Sequence, residues 1–495
     1  MINGLRKFIA GYVNSEKQFP TLAAIASGFY PLLHYYNGNF LMVNSWPQLI
    51  WFFSIFIIIP ILIFNIAAFL VRTLSVFKPI KPYVLVGLNS FTFGILSLFI
   101  TIGLTKKSIL IIGLIAILLM VLLYKHIKKV VLIQLMLSAL SLGFFIPKVI
   151  SYLSYSDHWM QLTDDIDDTV LKEVPNIYVI QPDGYVNFSE VEKYPYDYDN
   201  SLFRTYLEDN NFSVYDQNRS NYFSTLTSNA SMFAMKHHYY MNHLDPDKSH
   251  YDYRKGLAGD NNAINILKQN GYKTFMLLDY PYIIINRPKQ VLDYINYDYN
   301  TMSYIGNQWK GKEPLDTLED LIKTNKESSN FFFIEKISPT HIENLKAKSK
   351  GIEGERLAYL ERLEQSNIWL KKTIATILKH DSNGIIILVS DHGGYVGLES
   401  AEDLYAKIDD ADLKRSIFSS LLAIKWSNHK VANINSEIKT NVNLFRVLFA
   451  HLSKNKFLLE NREEDKSYIS INKGSDKGVF EYFDGHNSSV FKIKE

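Results

Sequence analysis

Gly384–Gly394, GIIILVSDHGG, is a run of five consecutive aliphatic residues that stops at a serine and is followed by Asp391, His392 and two glycines. So continuous an apolar run reads as a strand buried on both faces, the pattern of a parallel sheet covered by helices. A second stretch repeats the design. Asn176–Tyr185, NIYVIQPDGY, is an apolar strand ending at Pro182 and followed by Asp183 and Gly184. Further strand candidates are 274–278, 330–337 and 421–426, and helical periodicity covers 261–270, 353–379 and 440–452. Strands alternating with helices predict an α/β domain with a mostly parallel central sheet, and ligands of such sheets gather beyond the carboxyl ends of the strands.

Asp-Gly or Asp-His-Gly alone is an ordinary turn. Two such turns after two buried strands bring an acid to the same sheet edge twice, and the Asp391-His392 pair offers an oxygen and an imidazole side by side, which suits a divalent ion of the zinc or manganese type. Between them lies Ser220–Phe233, SNYFSTLTSNASMF, dense in hydroxyls. On composition it reads as a helix cap and a loop.

Upstream the chain changes character. No Asp, Glu, Lys or Arg occurs from Gln18 to Val71, and Leu49–Val71 (LIWFFSIFIIIPILIFNIAAFLV) is long enough for a hydrocarbon core of about 30 Å. Runs at 83–104, 108–124 and 130–152 follow, and a weaker one at 22–36 is bent by Pro31. Five spans with the N-terminus inside put Arg6, Lys7, Lys17, Arg72, Lys78, Lys81, Lys125, Lys128 and Lys129 on the cytoplasmic side, against Lys106 and Lys107 outside. The large domain is then extracytoplasmic, periplasmic or at the cell surface, on a multi-pass protein of the cell membrane. The expected division is a transmembrane domain over 1–155, a juxtamembrane linker over 156–174 and a catalytic domain over 175–495. With no intramembrane charge except Lys148, the helices read as an anchor rather than a transporter, with Asn65 and Asn89 as helix-to-helix hydrogen-bonding groups.

The net charge of +2 over 495 residues hides a split. Residues 1–155 hold twelve Lys and Arg and one acid, Glu16, whereas the remainder holds 40 basic and 49 acidic residues. An acidic soluble part offers no broad cationic face for a phosphodiester backbone, so nucleic acid is not an expected partner. Cysteine is absent, which removes disulfides, thiolate metal sites and cysteine nucleophiles.

Pro175–Phe233 together with Ile386–Gly394 (IILVSDHGG) resembles the membrane-anchored, sulfatase-like branch of the alkaline phosphatase superfamily, which includes lipoteichoic acid synthases and phosphoethanolamine transferases. The likeness runs over about residues 175 to 450, and the anchor ahead of the soluble domain matches it. It implies an alkaline-phosphatase/sulfatase-type fold and a threonine nucleophile at a helix start, Thr225 in the Thr225-x-x-Ser228-x-x-Ser231 spacing. It also implies one divalent ion, Zn²⁺ or Mn²⁺, on Asp183, Thr225, Asp391 and His392. The transferases carry Glu at the first of these positions; other members of the superfamily use Asp. The function implied is transfer of a phospho-head group from a lipid-linked donor among the membrane lipids to an envelope glycan or lipid acceptor. The alternatives are hydrolysis of a phosphate or phosphonate ester, and a degenerate member acting as an envelope scaffold. Sulfate-ester hydrolysis is disfavoured, because the C/S-x-P-x-R motif of sulfatases is missing.

One motif departs from the family. Relatives read roughly His-x-x-x-Pro-His between the nucleophile and the Asp-His pair; here Ile334–His341 (IEKISPTH) puts Glu335 at the first histidine position and His341 one residue beyond the second. His341 remains the candidate for donating hydrogen bonds to substrate oxygens. His237 and His238 read as capping or surface residues, His243, His250 and Arg254 as parts of a loop able to cover the site, and His486 as a turn residue.

Overall fold

The computed structural model describes residues 2–154, 157–238, 253–304, 310–427 and 437–494. The chain forms two compact units, Met1–Tyr155 and Ser156–Glu495.

The first unit is all helix. Among the described residues, three segments are long and apolar enough to cross a membrane: Trp46–Thr73, Ser75–Thr101 and Lys106–Met160. The last contains two α-helices, Lys106–Leu123 and Ile127–Leu153, joined through Tyr124–His126. Their outward faces are strongly apolar, with Leu110, Leu114, Leu122, Met136, Leu140 and Phe144 each at least 60% exposed, which in a soluble protein would be an aggregation face and in a bilayer is the lipid contact. The weak run expected at 22–36 is in fact a 24-residue helix, Pro20–Val43, that continues through Pro31. It is not among the three apolar segments because His34, Asn37, Asn39 and its tyrosines lower its mean hydropathy; it buries Ala23, Ala24, Ala26, Leu32, Leu33 and Tyr36. Asn65 exchanges hydrogen bonds with Thr21 (3.0 and 3.2 Å), and Asn89 donates to the Ala23 carbonyl and the Gln134 amide oxygen, both at 2.9 Å. These polar groups join helices, as amides do where no water competes.

The second unit is built on a seven-stranded sheet. In chain order its strands are β1 (Ile177–Pro182), β2 (Ser213–Val214), β3 (Lys273–Leu278), β4 (Tyr294–Ile295), β5 (Asn330–Lys336), β6 (Ile385–Val389) and β7 (Leu422–Lys425), and their order across the sheet is β2-β7-β6-β1-β5-β3-β4. β6, β1, β5, β3 and β4 are parallel, whereas β7 runs antiparallel to β6 and β2 antiparallel to β7. The sheet is therefore mostly parallel with a mixed edge, and that edge does not follow from the sequence pattern. A three-stranded antiparallel sheet, β8 (Ser467–Ile471), β9 (Gly478–Phe483) and β10 (Ser489–Ile493), was also not expected; its strands alternate too briefly to stand out.

The aliphatic runs are explained by two cores, one on each face. Tyr178, Ile180, Phe332, Ile334, Ile386 and Leu388 face one core, which is closed by Tyr359, Leu363, Leu370 and Ile374 of the helix Gly351–His380. The intervening residues Ile177, Val179, Phe331, Phe333, Ile385 and Ile387 face the other, closed by Phe445, Leu448 and Phe449 of Leu444–Ser453 and by Met232 and Phe233 of Thr225–Ala234. With both faces covered, the period of two cannot be read as apolar against polar.

Of residues 156–174, expected to be a linker, those described, 157–174, are docked on this unit. Trp159, Ile166 and Leu171 are buried, and Asp164 pairs with both terminal nitrogens of the buried Arg446 at 2.5 and 3.2 Å. Asp164→Ala leaves that guanidinium buried without its counter-charge; the expected cost is about 3 kcal/mol, read as a lowered unfolding midpoint in denaturant.

Candidate active site

The parallel register decides where the acids go. β1 lies between β5 and β6, so Asp183, one residue beyond β1, and Asp391, two beyond β6, leave adjacent strands at the same sheet edge. Glu335, near the end of β5, stands beside Gln181. Thr225 is the first residue of its helix, behind the extended Ser224. That helix is fastened to β1 by a reciprocal amide pair: Gln181 donates to Asn229 at 2.9 Å and Asn229 donates back at 3.0 Å, both fully buried.

The residues singled out in the sequence come together as follows. The Thr225 hydroxyl donates to Asp183 Oδ1 at 3.1 Å. His392 Nε2 lies 3.7 Å from Asp183 Oδ1 and 3.2 Å from Asp391 Oδ2. One ligand atom from each of Asp183, Asp391 and His392 lies within 4.8 Å of the others, and all three residues are buried. Asp391 Oδ1 is held by the Gly184 N–H at 3.0 Å, whereas its Oδ2 has no hydrogen-bond partner among the described residues.

This cluster fits a cation. His392 Nδ1 sits 2.8 Å from the Gly393 carbonyl, which fixes the proton on Nδ1 and leaves a lone pair on Nε2. Burial pushes the His392 pKa down despite the Asp183 charge, so the ring is neutral at neutral pH and its contacts with the two carboxylates are not ion pairs. A lone pair and two carboxylate oxygens therefore face one another in a water-poor place, an arrangement that a divalent ion relieves. Burial raises the Asp391 carboxyl well above its usual range, and the Asp183 charge adds to this. Asp183, though equally buried, is held low chiefly by the neighbouring His392 and His341.

Glu335 deepens the crowding. It is 1% exposed, its Oε2 has no partner among the described residues, and burial, then Asp183, Asp391 and Asp279, raise its pKa well above the ordinary value. The first histidine position of the related motif is thus occupied by a third buried carboxyl on the pocket wall. His341 also lines the pocket, 5.8 Å from His392 between ring centres, and Tyr395 stacks on both rings at 4.8 and 4.9 Å. His341 Nδ1 lies 2.6 Å from the Ile342 carbonyl, and burial beside His392 lowers the ring's pKa. The neutral ring therefore offers Nε2 as an acceptor, where the sequence reading expects a donor.

Two glycines make the turns possible. Gly184 has φ +67°, and a Cβ there would sit 2.7 Å from the Thr340 carbonyl carbon. At Gly393 a Cβ would sit 2.1 Å from the Ser416 carbonyl oxygen. Gly393→Ala is expected to cost about 3 kcal/mol or more in denaturant unfolding, because backbone has to move next to His392.

The remaining histidines lie elsewhere. His237 and His238 are buried rather than capping or superficial: His237 bridges the Tyr222 hydroxyl (2.9 Å) and the Glu464 carbonyl (2.8 Å), and His238 Nε2 meets the Thr227 carbonyl at 3.0 Å. Burial lowers their pKa values to about 4 and about 3. Arg254 lies over the ring of Tyr282, a pocket residue, and donates to its carbonyl at 2.9 Å. His486 occupies the turn between β9 and β10. His243 and His250 fall outside the described residues. Sequence reasoning missed the Gln181–Asn229 clamp and Tyr395, since nothing in their spacing marks them.

The pocket over the cluster has a volume of about 520 Å³. Thr225, Asp183, Glu335, His341 and His392 line its base and walls, with Phe223, Tyr282, Leu345, Leu404 and Tyr405 among the apolar residues.

No protein-family model matches this chain, and no curated protein matches it. Among solved structures it is similar to the C-terminal periplasmic domain of EcEptC from Escherichia coli, at 14% identity and a TM-score of 0.40, covering 63% of this chain and 93% of that one. It is similar to the integral membrane protein lipooligosaccharide phosphoethanolamine transferase A (EptA) from Neisseria meningitidis, at 12% identity and a TM-score of 0.41, covering 87% and 95%. It is also similar to the lipoteichoic acid synthase LtaP from Listeria monocytogenes, at 12% identity and a TM-score of 0.40, covering 66% and 91%.

Proposed function

We propose that this protein is a five-span, membrane-anchored transferase whose extracytoplasmic domain moves a phospho-head group from a lipid donor to an envelope glycan or lipid acceptor, with Thr225 as nucleophile. The observation that carries this reading is the Thr225 hydroxyl, at a helix N-terminus, hydrogen-bonded to a carboxylate of a buried Asp/Asp/His cluster and open to a pocket. The sequence resemblance over 175 to 450 agrees with it, as does the basic-residue asymmetry of the loops.

Asp183, Asp391, His392 and Thr225 would hold one divalent ion, Zn²⁺ or Mn²⁺, an N/O donor set of the size these ions take. Such an ion, when bound, supplies charge stabilisation for the reacting oxygens. The chain's own groups supply the rest. Asp183 accepts the hydrogen bond that aims the Thr225 oxygen and is the outlet for its proton. The helix N-terminus favours negative charge at that oxygen. As the Thr225 Oγ1–P bond forms, the bond from phosphorus to the lipid alcohol breaks and the departing alkoxide takes the proton that Asp183 received. An acceptor hydroxyl then attacks the phosphothreonine, giving its proton to His341 Nε2; the P–Oγ1 bond breaks, and that proton passes to the Thr225 oxygen, which regenerates the hydroxyl. The pocket, with Tyr282 and Tyr405 on its wall, holds the donor head group during both steps.

The test uses detergent-solubilised full-length protein with Zn²⁺ or Mn²⁺ and a phospholipid bearing a fluorescent head group. Diacylglycerol release that requires an envelope acceptor, with the label appearing on that acceptor, is the expected result. Release at the same rate in buffer alone makes the protein a hydrolase, and no release with either ion removes the enzymatic reading.

A further inference from the structure

A second cavity, of about 280 Å³, opens elsewhere on the soluble unit and shares no lining residue with the Thr225 pocket. Two guanidinium groups reach it. Arg219 is 5% exposed, and its Nε and one terminal nitrogen donate to Ser467 Oγ (3.2 Å) and to the carbonyls of Asp465 and Asp484. These acceptors are a hydroxyl and two backbone oxygens, so they orient the cation without forming an ion pair. Burial lowers the Arg219 pKa to about 10 even with Asp465 and Asp484 nearby, and the charge of Arg415 acts in the same direction. Arg219 is still cationic at neutral pH.

Arg415 shares the cavity and the same aromatic ring. The two guanidinium carbons stand 5.6 Å (Arg219) and 5.8 Å (Arg415) from the centre of Phe483. Among the described residues Arg415 makes no side-chain hydrogen bond and neither arginine makes an ion pair. The carboxylates at the cavity are already engaged: Glu190 with Lys193 at 3.1 Å, and Asp216 with Arg204 through two 2.8 Å bonds. Two cations are thus held against one ring, facing a cavity, with no carboxylate at ion-pair distance from either among the described residues. Such a pair is costly when empty and complementary to an oxyanion, since the planar fork of each arginine matches two oxygens of a phosphate.

We infer that this cavity binds a phosphate-bearing group, with Arg219 and Arg415 as its cationic contacts. The inference does not rest on the reaction at Thr225; it holds whether that site is a transferase, a hydrolase or inert.

The test is calorimetric titration of detergent-solubilised full-length protein, stripped of divalent ions with a chelator so that the Asp/His cluster cannot recruit phosphate through a metal. Three probes are used at low ionic strength: inorganic phosphate, glycerol 3-phosphate and a short-chain phosphatidylglycerol. Saturable binding of at least one is expected, with affinity lowered about tenfold or more by Arg415→Ala and partly retained by Arg415→Lys. Asn487→Asp, which places a carboxylate on the cavity lining without removing a cation, is expected to weaken binding as well, and it decides the matter if Arg415→Ala fails to fold. Preference for inorganic phosphate, for the phosphorylated polyol or for the lipid identifies the source of the group. Absence of saturable binding for all three probes, or affinity unchanged by both Arg415→Ala and Asn487→Asp, overturns the inference.

Discussion

Thr225→Ala is expected to reduce acceptor-dependent head-group release by at least about a thousandfold, the scale seen when a covalent nucleophile is removed while binding groups remain. Thr225 is half-buried, and its side-chain hydroxyl is tied only to the carboxylates of the cluster among the described residues, so the fold has little to lose. The unfolding midpoint should therefore barely move while activity disappears. Thr225→Ser keeps the oxygen and is expected to retain part of the rate. Mass spectrometry of protein quenched during turnover should find the added phospho group on the peptide containing Thr225, and on none in the alanine variant. An alanine variant keeping a tenth of wild-type release would mean that another group attacks phosphorus.

Asp391→Asn is expected to act in opposite directions on the metal-free and metal-loaded protein. Without metal, it removes one ionisable carboxyl from a buried trio with Asp183 and Glu335 and keeps an oxygen to accept from the Gly184 N–H. The metal-free variant should unfold a few degrees higher than wild type, about 1 kcal/mol or more in stability. With saturating Zn²⁺ or Mn²⁺ the order reverses, because wild type gains stability from binding while the variant loses about 100-fold or more in affinity. Differential scanning fluorimetry with and without chelator reads both. If the variant keeps the full metal-induced shift, Asp391 is not a ligand.

The same groups set the pH dependence. Glu335 and Asp391 have folded pKa values above their ordinary values of 4.5 and 3.8. In the window between ordinary and raised values the folded protein binds more protons than the unfolded chain, so stability falls as pH rises. Their contribution is complete below about pH 4 and is lost as pH climbs through the raised values. Asp183 is held low and contributes with the opposite sign, losing its part as pH falls through its folded value. Metal-free wild type should thus lose stability toward alkaline pH more steeply than Asp391→Asn.

Legibility of the site followed local chemistry. Asp183, Asp391 and His392 announce themselves because each ends an aliphatic strand at a glycine turn. Thr225 does not: in a hydroxyl-rich stretch it reads as a cap residue, and indeed it opens a helix, so only the family resemblance singled it out. Glu335 was visible as an odd residue in a motif, yet its isolation in the interior, with an unpartnered oxygen, depends on a neighbouring strand 154 residues away in sequence. The place of His341 on the pocket wall follows from its position beyond a strand, but the orientation of its ring does not, because that is set by the backbone carbonyl next door.

The sequence by itself determined the two-part organisation of apolar helices followed by strands and helices, the strand cores and the acids at their ends, since hydrophobic runs and turn residues act over a few positions. Tertiary structure decided the rest: the antiparallel edge, the docking of 157–174, the burial of His237 and His238, and the two arginines gathered on Phe483. Each depends on which distant segments share a face, and pairing across hundreds of residues leaves no local periodicity to read.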